Sequence, residues 1–158
     1  MNRWWRMSLL AVVIGAVAFL AGPKLWPMAP SVPEPPSSLL PFYIVLSAVE
    51  ALAFGFAVAF AAFGWPAIRR LPLSPWVNKS LFVTLCWFMG NWWMHDNLHM
   101  HIALDMNRLL YIEYGFHISM LACALILTVG LVRVATRPVA TKPSLSADRA
   151  TRGSRYQY

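Results

Sequence analysis

Three of the chain's four histidines lie in the stretch NWWMHDNLHMH, residues 91–101. His95 and His99 are four residues apart, so a helix would place their imidazoles on adjacent turns of one face. This spacing is a common way for one helix to supply two metal ligands. The same spacing recurs at Glu113 and His117. The sequence therefore contains two pairs of side chains that could bind a metal ion together.

Two further carboxylates accompany these pairs. Asp96 directly follows His95, and Glu50 lies in an earlier apolar segment on one helix face with Tyr43 and Ser47. Imidazole together with carboxylate suits iron, zinc or manganese, and the carboxylates argue against a purely soft copper(I) site. We therefore predict a transition-metal site whose ligands are drawn from His95, His99, His117, Glu113, Glu50 and Asp96.

Two other interpretations of these polar side chains stay open. Two histidines on facing helices, such as His95 or His99 with His117, could bind haem b axially. Haem would not, however, explain the buried carboxylates. The histidines could instead hydrogen-bond Glu50 or Glu113 and do no more than fix the register of the helices.

The composition is that of an integral membrane protein. The 158 residues are 59% hydrophobic and only 12% charged, whereas soluble domains carry about 25% charged residues. The net charge of +7 lies mostly in short flanks of apolar runs, which indicates membrane orientation and not nucleic-acid binding. The chain has no HExxH motif, no nucleophile elbow and no phosphate-binding glycine loop.

Four apolar runs are long enough to cross ~30 Å of hydrocarbon. Because every backbone polar group in lipid needs an internal partner, we expect these runs to be helices. We predict an all-α, four-transmembrane-helix bundle in residues 1–134, with helices at about 7–22, 40–65, 80–102 and 109–132. The first run also resembles a secretory signal peptide, and its cleavage would leave three helices with the polar cluster intact.

The basic residues predict the orientation. Of the 13 Lys and Arg residues, only Lys24 and Arg108 lie in the first and third connections; the others precede the first run, separate the second from the third, or follow the fourth. By the positive-inside rule, both termini are cytoplasmic. Residues 23–41 hold seven prolines and predict an extended outer loop. Residues 135–158 are polar and basic and predict a disordered cytoplasmic tail.

Small residues predict where the helices pack, because membrane helices associate through close contact of small side chains. Ala11 and Gly15 begin such a row on the first run, and Ala53, Ala57 and Ala61 form one on the second.

The polar side chains should share one depth. At 1.5 Å per residue, His95 lies about 9 Å, His117 about 12 Å, Glu50 about 14 Å and Glu113 about 6 Å below the outer end of its helix. Ionisable residues within a membrane helix are costly and by default mark a site. We therefore expect a multi-pass metalloprotein of the cell membrane, with redox or oxygenase-like chemistry on a lipidic substrate or quinone from the bilayer.

Other function classes stay open beside this one. A haem b electron-carrier subunit is the first alternative, and a non-catalytic accessory subunit of a larger membrane complex is the second. A small transporter or proton channel fits less well, because the spans contain few other polar groups. The chain could also form a homo-oligomer.

Overall fold

The computed structural model describes residues 2–136, and all regular structure in that part of the chain is helical. The helices are α1 (Arg3–Leu25), α2 (Leu40–Phe63), the single turn α3 (Trp65–Ile68), α4 (Pro75–Ile102), α5 (Met106–Ile112) and α6 (Ser119–Ala135). A π-helical turn, Glu113–Ile118, connects α5 to α6 without a break. The predicted tail lies outside the described residues from position 137 onward.

Three helical segments are long and apolar enough to cross a membrane: Arg3–Leu25, Leu40–Phe63 and the continuous Met106–Ala135. The all-helical character predicted from composition is therefore confirmed, and three of the predicted spans meet this criterion. α4 has 28 residues, which at 1.5 Å each gives about 42 Å and is ample length. α4 is nevertheless less apolar than the other three segments, because polar side chains interrupt its apolar run between Asn91 and His101. Its crossing of the membrane stays a prediction.

The long helices pack in a row. α1 packs on α2, α2 packs on α4, and α4 packs on α6. Near one end α1 also contacts α4, where a Cβ added to Gly22 would lie 2.8 Å from Asn97 Oδ1 and 3.4 Å from Trp93 Nε1. The arrangement is more open than the predicted bundle, and α4, the helix with most of the polar side chains, lies between two apolar neighbours.

α1 and α2 meet at glycines. Gly15 and Gly55 are both buried, and a Cβ added to Gly15 would lie only 3.0 Å from the Leu52 Cα. A Cβ on Gly55 would overlap the Ala11 carbonyl oxygen and lie 3.0 Å from the Gly15 Cα. The two backbones are therefore in direct contact, as the small residues Ala11 and Gly15 predicted for α1.

On α2 the row of small residues has a different register from the predicted one. The buried residues nearest α1 are Ala51, Gly55 and Ala59. The predicted Ala61 is exposed. Ala57 is buried, but its Cβ lies against Gly90 of α4. The prediction followed the spacing of alanines alone and overlooked Gly55, which allows the closest approach.

The proline-rich connection is tied to the end of α4. α1 continues through Pro23 to Leu25, so the connection begins three residues later than predicted. The Ala29 N–H donates to the Met100 carbonyl at 3.1 Å. The Pro27 carbonyl lies 2.8 Å from His101 Nδ1. These contacts hold the loop over the end of α4 that follows the histidine cluster.

A tight turn returns the chain from α4 towards its own histidines. Ala103 has φ 49° and ψ −120°, and it is the one non-glycine residue with positive φ among residues 2–136. Asp105 then caps α5, since its side chain accepts from the N–H groups of Asn107 and Arg108. The turn places the π-helical turn beside α4, close enough for Glu113 to contact His99.

Candidate metal centre

α4 supplies two imidazoles that touch each other. The ring centroids of His95 and His99 are 4.4 Å apart, and their Nε2 atoms are 3.1 Å apart. The other nitrogen of His95, Nδ1, lies 2.8 Å from Asp96 Oδ1. This contact holds the ring so that Nε2 faces away from Asp96 and towards the cluster.

The π-helical turn supplies a carboxylate and a third imidazole. Glu113 Oε2 lies 2.6 Å from His117 Nδ1, within the same turn. Its other oxygen, Oε1, lies 3.2 Å from His99 Nε2, across to α4. Glu113 therefore bridges two histidines from two helical segments, one at each carboxylate oxygen.

Donor atoms from three residues converge on one point. His95, Glu113 and His117 each offer one ligand atom, and these three atoms lie within 4.8 Å of one another. Donors bound to one ion at about 2.0–2.2 Å lie roughly 3 to 4.4 Å apart. His99 is not within this group of three, but its Nε2 is at 3.1 and 3.2 Å from two of its members. The spacing therefore fits a metal ion with small side-chain shifts.

Glu50 enters the cluster from α2 through Asp96. The carboxyl groups of Glu50 and Asp96 are neighbours where α2 packs on α4. A bound cation would neutralise both groups. Five of the six residues predicted as ligands thus form one connected chain of contacts, running Asp96, His95, His99, Glu113 and His117, and Glu50 lies near its Asp96 end. Whether each binds metal stays a prediction.

Exposure is lowest at His95 and increases towards His117. The His95 side chain is 13% exposed, that of Glu113 39% and that of His117 53%, while Asp96 on the other side of His95 is 41% exposed. The cluster is therefore most enclosed around His95 and most open at the π-helical turn.

Contacts from α4 and α6 hold the π-helical turn in place. Trp87 stacks on Phe116 at 5.9 Å between ring centroids, with 17° between the planes. Its indole N–H donates to Ser119 Oγ at 2.9 Å, and that hydroxyl donates to the Phe116 carbonyl at 2.9 Å. Isolated π turns within α-helices frequently occur at functional sites. Neither Trp87 nor Ser119 was predicted to matter, and Gly115 in mid-helix is the one sequence signal that the helix departs from regular geometry.

A cavity of about 270 Å³ borders the cluster. Two of its lining residues are His95 and His117, and the others are Asn91, Trp92, Phe116, Met120 and Leu121. Asn91 is fully buried and donates from Nδ2 to the Met120 sulfur. The surface of this cavity is almost wholly apolar, although two histidines contribute to its lining.

Comparison of the chain with protein-family models, with curated proteins and with solved structures finds no match.

Proposed function

We propose that the chain is a membrane metalloprotein that binds one transition-metal ion between α4 and the π-helical turn. The observation that carries the proposal is the convergence of donor atoms from His95, Glu113 and His117 within 4.8 Å. His99 joins them as a fourth ligand after a small shift. Asp96 and Glu50 support the site, because metal-bound histidines usually donate their second ring N–H to a carboxylate.

The donor set favours iron, with zinc and manganese as the alternatives. The three donors that converge, two histidines and one carboxylate, are the ligand set of non-haem Fe(II) oxygenases, to which His99 would add a third histidine. Such an ion, when bound, supplies redox chemistry or activates a small molecule at its open position. An apolar cavity borders these ligands, since His95 and His117 both contribute to its lining. We therefore propose redox or oxygenase-type chemistry on a lipidic substrate.

Haem b is the less supported cofactor. Glu113 bridges His99 and His117, so the space between these two rings holds a carboxylate where a porphyrin would have to lie. His95 and His99 stand on one helix with their rings in contact and cannot flank a porphyrin. The absorption spectrum of the purified protein distinguishes the two cofactors.

We further propose four membrane spans, with both termini in the cytoplasm of a cell-membrane protein and the metal site in the outer half. The support is the distribution of Lys and Arg, of which only Lys24 and Arg108 lie in the connections assigned to the outside. Single cysteines at positions 35 and 150, in a variant without Cys86 and Cys123, test this orientation. An impermeant thiol reagent should label position 35 and not position 150 in intact cells. The reverse labelling would invert the assignment.

Metal content after His117→Ala tests the proposal itself. Protein purified in detergent without chelator should carry close to one equivalent of a transition metal, and the variant should lose it. His101→Ala is the matched control, because His101 contacts the Pro27 carbonyl and none of the cluster. It should keep the metal.

The competing account is a hydrogen-bond network that fixes helix register and holds no ion. The same contacts favour it, because they already give each of these imidazole and carboxylate groups a polar partner. Wild-type protein with less than about a tenth of an equivalent of any transition metal or haem would support this account. The chain would then be a non-catalytic subunit of a membrane complex.

A further inference from the structure

One end of the row of helices, remote from the histidine cluster, carries only basic charge among the described residues. α1 and α4 begin at this end, and α2 and α6 finish there. Three contacts between neighbouring helices establish the arrangement: Met7 and Ala59 share a buried cluster, the Trp65 and Phe82 rings are 5.5 Å apart between centroids, and Gly130 lies against Leu81. The ends of four helices therefore form one surface.

The charges of this surface have no partner in the described chain. Six Lys and Arg lie at this end, which we call the basic end: Arg3, Arg6, Arg69, Arg70, Lys79 and Arg133. None of the six forms an ion pair within residues 2–136, whereas Arg108 in the opposite half pairs with Asp105 at 3.3 Å. The five acidic residues of the described part all lie in that opposite half: Glu34, Glu50, Asp96, Asp105 and Glu113. The basic end therefore needs an external anion.

Tryptophans place the basic end at the level of lipid head groups. Trp4, Trp5 and Trp76 are 59%, 62% and 77% exposed, and tryptophan is enriched where a membrane meets water. Lys79 Nζ lies 5.1 Å from the centre of the Trp76 ring, and Arg3 Cζ lies 6.0 Å from that of Trp4. The cations thus lie beside the side chains that mark the interface.

A buried amide holds two of these basic residues close together. Asn78 is 4% exposed, and its Nδ2 donates to the Leu71 carbonyl at 3.2 Å. Arg70 precedes Leu71 and Lys79 follows Asn78, so this bond fixes the two basic positions beside each other at the start of α4. Both side chains are exposed. Two neighbouring cations repel each other unless they share an anion, and a phosphate suits both a guanidinium and an ammonium group.

We propose that the basic end binds the phosphate head groups of anionic phospholipids, with Arg70 and Lys79 sharing one head group. The position favours a lipid over other phosphates, because the apolar spans of α1 and α2 enter the hydrocarbon directly beside these residues. The binding is a property of the folded protein, beyond the effect of basic residues on the direction of insertion. It does not depend on the metal site, whose ligands lie in the opposite half.

Lipid binding to the full chain, purified in detergent, tests the inference. Native mass spectrometry counts bound dioleoylphosphatidylglycerol and dioleoylphosphatidylcholine and gives an apparent Kd for each. Each Lys or Arg near an anionic membrane surface contributes about fivefold in affinity. Phosphatidylglycerol should therefore bind at least about fivefold more tightly than phosphatidylcholine. The preference should shrink between about 0.05 and about 0.5 M ammonium acetate, because salt screens exposed charges.

Two double variants with the same net charge provide the matched pair. Arg70→Gln with Lys79→Gln should weaken phosphatidylglycerol binding about 25-fold. Lys24→Gln with Arg108→Gln removes two charges from the opposite half and should change it less than about twofold. Arg70→Lys with Lys79→Arg keeps both charges and should stay within about threefold of wild type. Because the substituted side chains are exposed, the variants should fold, which circular dichroism verifies.

Several results would overturn the inference. Equal binding of the two lipids, or equal losses in the two Gln double variants, would exclude a lipid site at the basic end. Changing all five Lys and Arg after Thr136 to Gln should preserve the lipid preference, and its disappearance would assign the binding to that segment. Displacement of the lipid by inorganic phosphate at equal concentration would indicate a site for free phosphate. Displacement by a single-stranded oligonucleotide of equal phosphate content would assign the surface to nucleic acid.

Discussion

Substitution of Asp96 tests how the cluster is oriented. Asp96 Oδ1 lies 2.8 Å from His95 Nδ1, so we expect it to hold the tautomer in which His95 Nε2 is free to bind the metal. Asp96→Asn keeps an oxygen acceptor at nearly the same place but removes the charge. Asp96→Ala removes both, and leaves the ring free to rotate.

The expected loss of metal affinity differs between Asp96→Asn and Asp96→Ala. Mutation of a carboxylate that orients a metal-bound histidine typically lowers metal affinity about 10- to 100-fold, or about 1.4 to 2.7 kcal/mol. The affinity loss for Asp96→Asn should lie near the lower end of this range, because the N–H···O contact with His95 survives. The affinity loss for Asp96→Ala should lie near the upper end, since His95 Nδ1 then loses its partner.

The assay is competition for the metal against a chromophoric chelator in detergent, with circular dichroism to verify that the helices remain. Asp105→Asn is the matched control, because Asp105 caps α5 and ion-pairs with Arg108 outside the cluster. If Asp96→Asn abolishes metal binding completely, Asp96 is a direct ligand and the orienting role is wrong. If Asp96→Ala binds metal as wild type does, Asp96 has no role in the site.

Three further substitutions probe the support around the site. Glu50→Gln keeps size and hydrogen bonding, so the fold should persist while metal affinity falls less than for Asp96→Ala; identical stability and metal content would make Glu50 merely structural. Gly55→Ala should destabilise the protein by about 1–3 kcal/mol in reversible detergent unfolding, because its Cβ would meet backbone atoms of α1. Gly115→Ala is its control, since nothing lies within 4 Å of that Cβ, and equal losses would contradict the close contact of α1 and α2. Ala103→Gly should raise the stability by about 1 kcal/mol, because glycine adopts φ 49° without strain; a loss of stability would show that the turn is not strained.

Helices were predictable from the sequence to within a few residues. The apolar run at 40–65 became α2, Leu40–Phe63, because length and apolar content alone specify such a helix. α4 begins at Pro75, five residues before the predicted start at 80. The overlooked signal is proline after Ser74, since proline is favoured in the first helical turn.

The membership of the cluster was predictable, but its contacts were not. Spacing of i and i+4 paired His95 with His99 and Glu113 with His117, and both pairs are in contact. The contact between Glu113 and His99 depends on how the turn at Ala103 returns the chain, and no local pattern encodes that. The π-helical turn is likewise set by tertiary contacts, chiefly those from Trp87.

The place of α4 in the row would allow so polar a helix to cross a membrane, as we predict. An ionisable side chain facing lipid is costly, and α4 alone has three histidines and an aspartate in eleven residues, 91–101. α2 covers one side of α4 and the helix from Met106 to Ala135 covers the other. Each neighbour also brings one glutamate to the cluster, Glu50 from α2 and Glu113 from the π-helical turn. The polar groups of α4 thus find partners on both sides, and insertion of α4 should depend on the helices that flank it.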